Sequence, residues 1–166
     1  MSRASKVLVG GGGGVAWGIA VLWVGSTQLE IPIFTRPLIV PFFFLAPGLV
    51  ILAMVAALGL RRFWDDDLDY GAPPYPGSAT ETDQRVLRDT IEQAVLALCL
   101  WTPISFLLPE TGLGIVICLS ISFAIARLLF WVGFHISPLL RTLGFTATLF
   151  PTILAMIWAG IWWATM

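Results

Sequence analysis

The stretch DQRVLRDTIEQAVLALCLWTPISFLL, residues 83–108, joins a dense cluster of charges to a long apolar run. The charged side chains are Asp83, Arg85, Arg88, Asp89 and Glu92. On a helix, which turns by about 100° per residue, the last four share one face and form two i,i+4 pairs of opposite sign. Because charges at the edge of a bilayer are costly, this face predicts either a snorkelling anchor that fixes helix depth or a binding site for a small charged molecule.

The composition of the whole chain is that of a membrane protein. Of its 166 residues, 58% are hydrophobic and 11% are charged, and the mean hydropathy is +0.90. The net charge of -1 and the lack of a basic stripe argue against nucleic-acid binding. Cys99 and Cys118 lie in apolar runs and the chain has a single histidine, so neither a disulfide nor a metal site is expected.

Hydropathy and charge divide the chain into five apolar segments, each close to the roughly 20 residues that cross a bilayer as a helix. They cover residues 7–25, 38–60, 90–108, 113–134 and 138–166. Polar loops are expected at 26–36 and 61–84, the second with an acidic run at 65–69 that is typical of an exposed loop. Pro41 and Pro47 predict a bend within the second segment.

The first segment contains Gly10, Gly14 and Gly18, a spacing of small residues that lets two membrane helices approach closely. Two interpretations of this segment are open. It is either a retained transmembrane helix or a signal peptide with the small residues Gly25 and Ser26 near a cleavage point. The apolar run is long for a signal peptide, which favours the retained helix.

The distribution of basic residues predicts the orientation in the membrane. With five spans and a cytoplasmic N-terminus, eight of the nine basic residues lie on the inner side and only Arg36 lies outside. The eight are Arg3, Lys6, Arg61, Arg62, Arg85, Arg88, Arg127 and Arg141. The same orientation puts the C-terminus outside and brings charged groups of three helices to one depth near the inner surface.

The fourth span carries a second pattern, in which one helical face combines an arginine with aromatic rings. Its members, at positions i, i+3, i+4 and i+7, are Arg127, Phe130, Trp131 and Phe134. Such a stripe suits either the packing of helices or the binding of a flat ligand.

The two patterns together resemble those of the MAPEG family, the membrane-associated proteins in eicosanoid and glutathione metabolism. The family's second helix carries an arginine, an asparagine and a glutamate at the positions held here by Arg85, Asp89 and Glu92. In its glutathione-using members, a later helix region has arginine, tyrosine, glycine, tyrosine and arginine at the positions held here by Arg127, Phe130, Gly133, Phe134 and Arg141. The resemblance covers residues 38–166 and leaves the first span as an addition.

The resemblance implies an all-α integral membrane helix bundle with two parts. A MAPEG-like domain of four transmembrane helices occupies residues 37–166, and an extra transmembrane helix and loop occupy residues 1–36. It further implies a homotrimer, embedded in the lipid bilayer, whose sites lie between neighbouring subunits.

The resemblance also implies roles for individual side chains. Arg85, Arg127 and Glu92 would engage the carboxylates and amine of glutathione, the expected cofactor. Arg141 would be the catalytic residue, because a nearby cation favours the thiolate, which is the nucleophile. The remaining positions of the expected glutathione site are Asp89, Phe130 and Phe134.

Two functions follow, and the sequence leaves both open. The first is a glutathione S-transferase or peroxidase acting on lipophilic electrophiles or lipid hydroperoxides. The second is a non-catalytic membrane protein that uses the same fold for assembly or for binding a lipid-like ligand. The second is favoured by three departures from the family pattern, since Asp89 replaces an asparagine and Phe130 and Phe134 replace tyrosines whose hydroxyls contact glutathione.

Overall fold

A computed structural model describes residues 3–29, 31–64 and 74–166, and within these ranges all regular structure is helical. The long helices are α1 (Arg3–Thr27), α3 (Leu45–Trp64), α4 (Ala79–Leu107), α5 (Gly112–Ile136) and α6 (Pro138–Ala164), and the short helix α2 is Arg36–Ile39. Five candidate membrane spans are found in the described part of the chain, the second of which runs from Pro37 to Phe63 across α2 and α3. The prediction of an all-α, multi-pass membrane protein with five spans is confirmed.

The second span is not one continuous α-helix. Between α2 and α3 the backbone forms a 3-10 turn, Val40–Phe44, with Pro41 near its start. Proline cannot donate the backbone hydrogen bond of a helix interior, so regular α-helix resumes only at Leu45. Pro47 then falls in the first turn of α3, where a missing donor costs little. The irregularity expected from these prolines is therefore a change of helix type.

The prediction of a loop through residue 84 is wrong at its C-terminal end, because α4 begins at Ala79. The Ser78 hydroxyl accepts a hydrogen bond from the backbone N–H of Glu81 at 3.1 Å, and the Glu81 carboxylate accepts one from the N–H of Gly77 at 2.6 Å. This serine and glutamate at N-cap spacing satisfy the free donors of the first turn. The acidic run at 65–69 lies outside the described residues.

Helix α1 packs along α6 and also contacts α5. A Cβ added at Gly10 would overlap the side chain of Thr142, and one added at Gly14 would overlap Thr146, so the close approach expected from the glycine spacing is confirmed. The Thr146 hydroxyl lies 2.8 Å from the carbonyl oxygen of Gly10, to which it can donate. Helix α1 thus packs on the bundle through one face, with Gly10 and Gly14 against α6.

Two apolar clusters fill the bundle. The larger one surrounds Trp101, whose indole N–H donates to the Thr152 hydroxyl at 3.2 Å. The smaller one has Val50, Met54, Val86 and Phe130 at its centre. It lies beside the first turns of α4 and the last turns of α5, where the charged residues of the sequence are concentrated. The candidate site is at this end of the bundle.

Candidate functional site

A cavity of about 360 Å³ opens between α4, α5 and α6. Its walls are formed by Arg85, Asp89, Phe130, Phe134, Arg141, Thr142 and Phe145. Five of the seven site residues predicted from the sequence therefore surround one space, although they come from three helices. Two arginines and one aspartate give the walls a net positive charge, which suits an anionic ligand.

The part of the cavity wall formed by α6 lies close to α5 at a glycine, Gly133. Ser137 alone separates the two helices, and its hydroxyl accepts from the N–H of Leu139 at 3.3 Å, capping α6. A Cβ added at Gly133 would lie 2.7 Å from the Cα of Arg141, which therefore packs directly against α5. Helix α6 thus begins beside the last turns of α5. The Arg141 guanidinium is 4.9 Å from the centre of the Phe134 ring as a result.

Another part of the cavity wall is formed by aromatic rings. The Phe130 and Phe134 rings meet edge to face with centres 5.0 Å apart, and the Phe145 ring lies 6.1 Å from that of Phe130. None of these rings carries a hydroxyl, so this wall offers an apolar surface where tyrosines would offer hydrogen bonds. A ligand can therefore be bound here by packing against the rings and by ion pairs with the arginines.

Arg127, the third residue of the predicted site on α5, lies behind this wall and is completely buried. Its guanidinium is 4.7 Å from the centre of the Phe130 ring, donates to the Thr148 hydroxyl, and lies 3.5 Å from the carbonyl oxygen of Asp89. It is not among the side chains that line the cavity. Within this chain, Arg127 supports the aromatic wall through a cation–π contact.

Glu92 is exposed on α4, one turn beyond Asp89, and it does not line the cavity of this chain. The pairing of Arg85 with Asp89 expected from their spacing is also not what the structure has. Arg85 lies 3.3 Å from the Glu81 carboxylate instead, one turn earlier on the same face. Glu81 is already held in place as part of the helix cap, whereas Asp89 faces the cavity. The Asp89 carboxylate is therefore available to a ligand.

A role for Asp83 was not predicted from the sequence. Its side chain is only 2% exposed, and its Oδ1 accepts from the Trp131 indole N–H at 2.7 Å and lies 2.8 Å from His135 Nε2. Its Oδ2 is 3.2 Å from Arg61 Nε. Trp131 was expected on the same face as Phe130, but the structure turns it to Asp83 and away from the cavity. The spacing of Trp131 and the single histidine, four residues apart, was the available signal.

Comparison with known proteins identifies the family. A model of the MAPEG family matches residues 38–162, which is three quarters of the chain. No curated protein and no solved structure matches the chain. The matched region contains α3 to α6, including every residue of the cavity wall, and leaves α1 as an extra N-terminal helix. The chain therefore belongs to the MAPEG family.

Proposed function

We propose that this protein is a membrane-embedded glutathione S-transferase or peroxidase acting on lipophilic electrophiles or lipid hydroperoxides. The observation that supports it best is the convergence of Arg85, Asp89 and Arg141 on one cavity with an aromatic wall. Glutathione carries two carboxylates, one ammonium group and one thiol, so it needs cations, an anion and a group that favours the thiolate. Arg85 and Arg141 are the cations, and Asp89 is the anion.

Each side chain has a proposed role. Arg85 binds a glutathione carboxylate, with the charge-assisted hydrogen bonds that a guanidinium forms with such a group. Asp89 accepts hydrogen bonds from the ammonium group. Arg141 stabilises the thiolate, and the neighbouring N-terminus of α6 adds the positive end of its helix dipole. Phe130 and Phe134 pack against the apolar parts of the two substrates.

The chemistry follows from the thiolate. In conjugation its sulfur forms a bond to the electrophilic carbon, and the leaving group departs with the electron pair of the bond that breaks. In peroxide reduction the sulfur attacks the terminal oxygen of the hydroperoxide, which releases an alcohol and leaves a sulfenic acid. A second glutathione then forms the disulfide and releases water. In both cases the thiol proton is lost to solvent before the attack.

Calorimetric titration of the detergent-purified protein is the direct test. We expect saturable binding of glutathione that weakens as salt is added, because exposed ion pairs to the cavity arginines are screened. Ophthalmate, which has a methyl group in place of the thiol, is the matched control and should bind through the same carboxylates. Absence of heat at millimolar glutathione, with the protein folded by circular dichroism, would contradict the proposal.

We also propose that the protein is a homotrimer, with the exposed part of α4 covered by a neighbouring copy. Arg88 and Glu92 are exposed on α4, and charged side chains in this environment usually face a protein interior or a polar cavity. In such an assembly Glu92 belongs to the region between subunits that the family resemblance predicts, whereas Arg127 stays buried within its own chain. The native mass of the calorimetry sample should be that of three chains, and a monomer in mild detergent would rule this assembly out.

The orientation of the bundle is proposed from the distribution of basic residues. The N-terminus lies in the cytoplasm and the C-terminus outside, so the cavity is at the cytoplasmic end. A reporter that requires export, fused after Met166, should therefore be active, and a reporter that requires the cytoplasm should be inactive at the same position. The reverse pattern would contradict five spans in this direction.

A second candidate function is the binding of an anionic lipid-like ligand without catalysis. The observation that favours it is the aromatic wall, in which neither Phe130 nor Phe134 has a hydroxyl to offer the tripeptide. This candidate predicts that a long-chain fatty acid binds in the same titration while glutathione does not.

A further inference from the structure

Asp83 is a buried carboxylate that the proposed chemistry does not use. It lies in the second turn of α4 and contacts side chains of two other helices, Trp131 and His135 of α5 and Arg61 of α3. Burying a carboxylate costs free energy unless it is paired and hydrogen-bonded, so the arrangement of these four residues is strongly specified. We call them the Asp83 cluster.

On α5, residues of the Asp83 cluster directly follow residues of the cavity wall. Trp131 directly follows Phe130 and His135 directly follows Phe134, and both phenylalanines line the cavity. Successive side chains on a helix point about 100° apart. Holding Trp131 and His135 on Asp83 therefore determines where Phe130 and Phe134 point. The apolar residues of α5 alone give no such preference, because they occur on nearly all sides, so the rotation depends on polar contacts such as those of Asp83 and of Arg127 with Thr148.

Side-chain packing also links the Asp83 cluster to the aromatic wall of the cavity. Val86 is fully buried one turn after Asp83, and it forms an apolar cluster with Phe130 and with the partly buried Trp131 and Phe134. Arg85, two residues after Asp83, forms part of the cavity wall. A change in the rotation of α5 would therefore alter the aromatic wall and its distance from the arginines together.

We propose that Asp83 is a positioning residue for the cavity. By binding Trp131 and His135 it sets the rotation of α5 and thereby directs Phe130 and Phe134 into the ligand space. The residue does not touch the ligand. The inference rests on the proposed function only where glutathione is the probe, and it makes a separate prediction for the empty cavity.

The test compares variants that each remove a defined donor or acceptor of the Asp83 cluster. Asp83→Ala removes the acceptor, whereas Asp83→Asn keeps an oxygen at Oδ1 and should retain the bond from Trp131. Trp131→Phe removes the indole donor and keeps a smaller aromatic ring. Trp101→Phe is its control, because Trp101 loses the same groups and also donates one indole hydrogen bond, to Thr152 in the other apolar cluster, where it is more deeply buried than Trp131.

The first measurement needs no ligand. Phe134→Cys, in a chain with Cys99→Ser and Cys118→Ser, places a thiol in the cavity wall for labelling by an anionic methanethiosulfonate. We expect Asp83→Ala and Trp131→Phe to slow this labelling about tenfold, as the reporter position turns away from the cavity. Asp83→Asn should restore most of the rate, and Trp101→Phe should leave it unchanged.

The second measurement is glutathione affinity in the chain that keeps Phe134. Asp83→Ala should weaken binding about tenfold and Asp83→Asn much less, since the supporting hydrogen bond is retained. Trp101→Phe should lower thermal stability at least as much as Trp131→Phe, because Trp101 is more deeply buried, yet only Trp131→Phe should lower the affinity. This separates positioning from simple stabilisation.

The outcomes distinguish the two proposals. Slowed labelling with no glutathione binding even in the wild type leaves the positioning role intact and refutes the proposed function. Unchanged labelling in folded Asp83→Ala overturns the positioning role, whatever glutathione does. If Asp83→Ala does not fold, Trp131→Phe decides by the same criteria, because it removes one hydrogen bond and leaves the carboxylate paired with His135 and Arg61.

Discussion

Gly144→Ala should lower the free energy of unfolding of the bundle by about 3 kcal/mol, the upper part of the range for overpacking a close contact. A Cβ at this position would lie 2.6 Å from the Cα of Phe130 and 2.8 Å from the carbonyl oxygen of Ala126. Both are backbone atoms of α5, which cannot rotate aside, so the two helices must separate. Unfolding of the purified protein in mixed micelles, followed by circular dichroism, measures the change.

The matched control lies on the same helix. Gly160 of α6 has nothing within 4 Å of an added Cβ, so Gly160→Ala should be neutral or should stabilise α6 by up to about 1 kcal/mol through helix propensity. The difference between the two substitutions therefore measures the α5–α6 contact and excludes a general effect of removing glycine. Equal stabilities for the two variants would show that the helices are not in contact at Gly144.

The positions of the helices could be predicted because membrane spans follow from hydropathy and charge alone. The five spans required only the length of each apolar run and the residues that interrupt it. The glycine spacing of α1 likewise predicted a close approach, but it could not tell which helix would be the partner. That partner, α6, is determined by the complementary surface of Thr142 and Thr146, which lies far away in the chain.

The rotation of α5 was the part that the sequence could not determine. A helix that is apolar on nearly all sides has no polar face to mark which side is buried, so Phe130 and Trp131 were placed on one face. In the structure the two side chains have different partners. The Trp131 indole donates to Asp83, whereas the Phe130 ring stacks on Arg127. Both interactions are between different helices, and spacing within one helix carries no information about them.

The same limit applies to the charged face of α4. The i,i+4 spacing predicted a pair between Arg85 and Asp89, which is wrong, because Arg85 pairs with Glu81 one turn earlier. The choice of partner depends on the helix cap that orders Glu81 and on the cavity that faces Asp89. The early start of α4, which supplies the cap, could have been recognised from the spacing of Ser78 and Glu81.

Arg141→Ala should lower the thiolate fraction of bound glutathione about a hundredfold, which corresponds to roughly 2.7 kcal/mol. The Arg141 guanidinium lines the cavity near the start of α6. Removing it leaves only the helix dipole to stabilise the sulfur anion. The ultraviolet absorbance of the thiolate, measured at saturating glutathione, should therefore appear in the wild type and disappear in the variant.

Arg62→Ala is the matched control for this prediction. Arg62 is an exposed arginine in the last turn of α3, outside the cavity wall, so its removal changes the net charge of the chain equally without removing a cation from the site. We expect it to retain the thiolate absorbance, and both variants to keep the native mass of the wild type. Loss of the absorbance in both variants would indicate a diffuse electrostatic effect. Its absence in the wild type at saturating glutathione would remove the enzymatic function and favour the binding of a lipid-like anion in the same cavity.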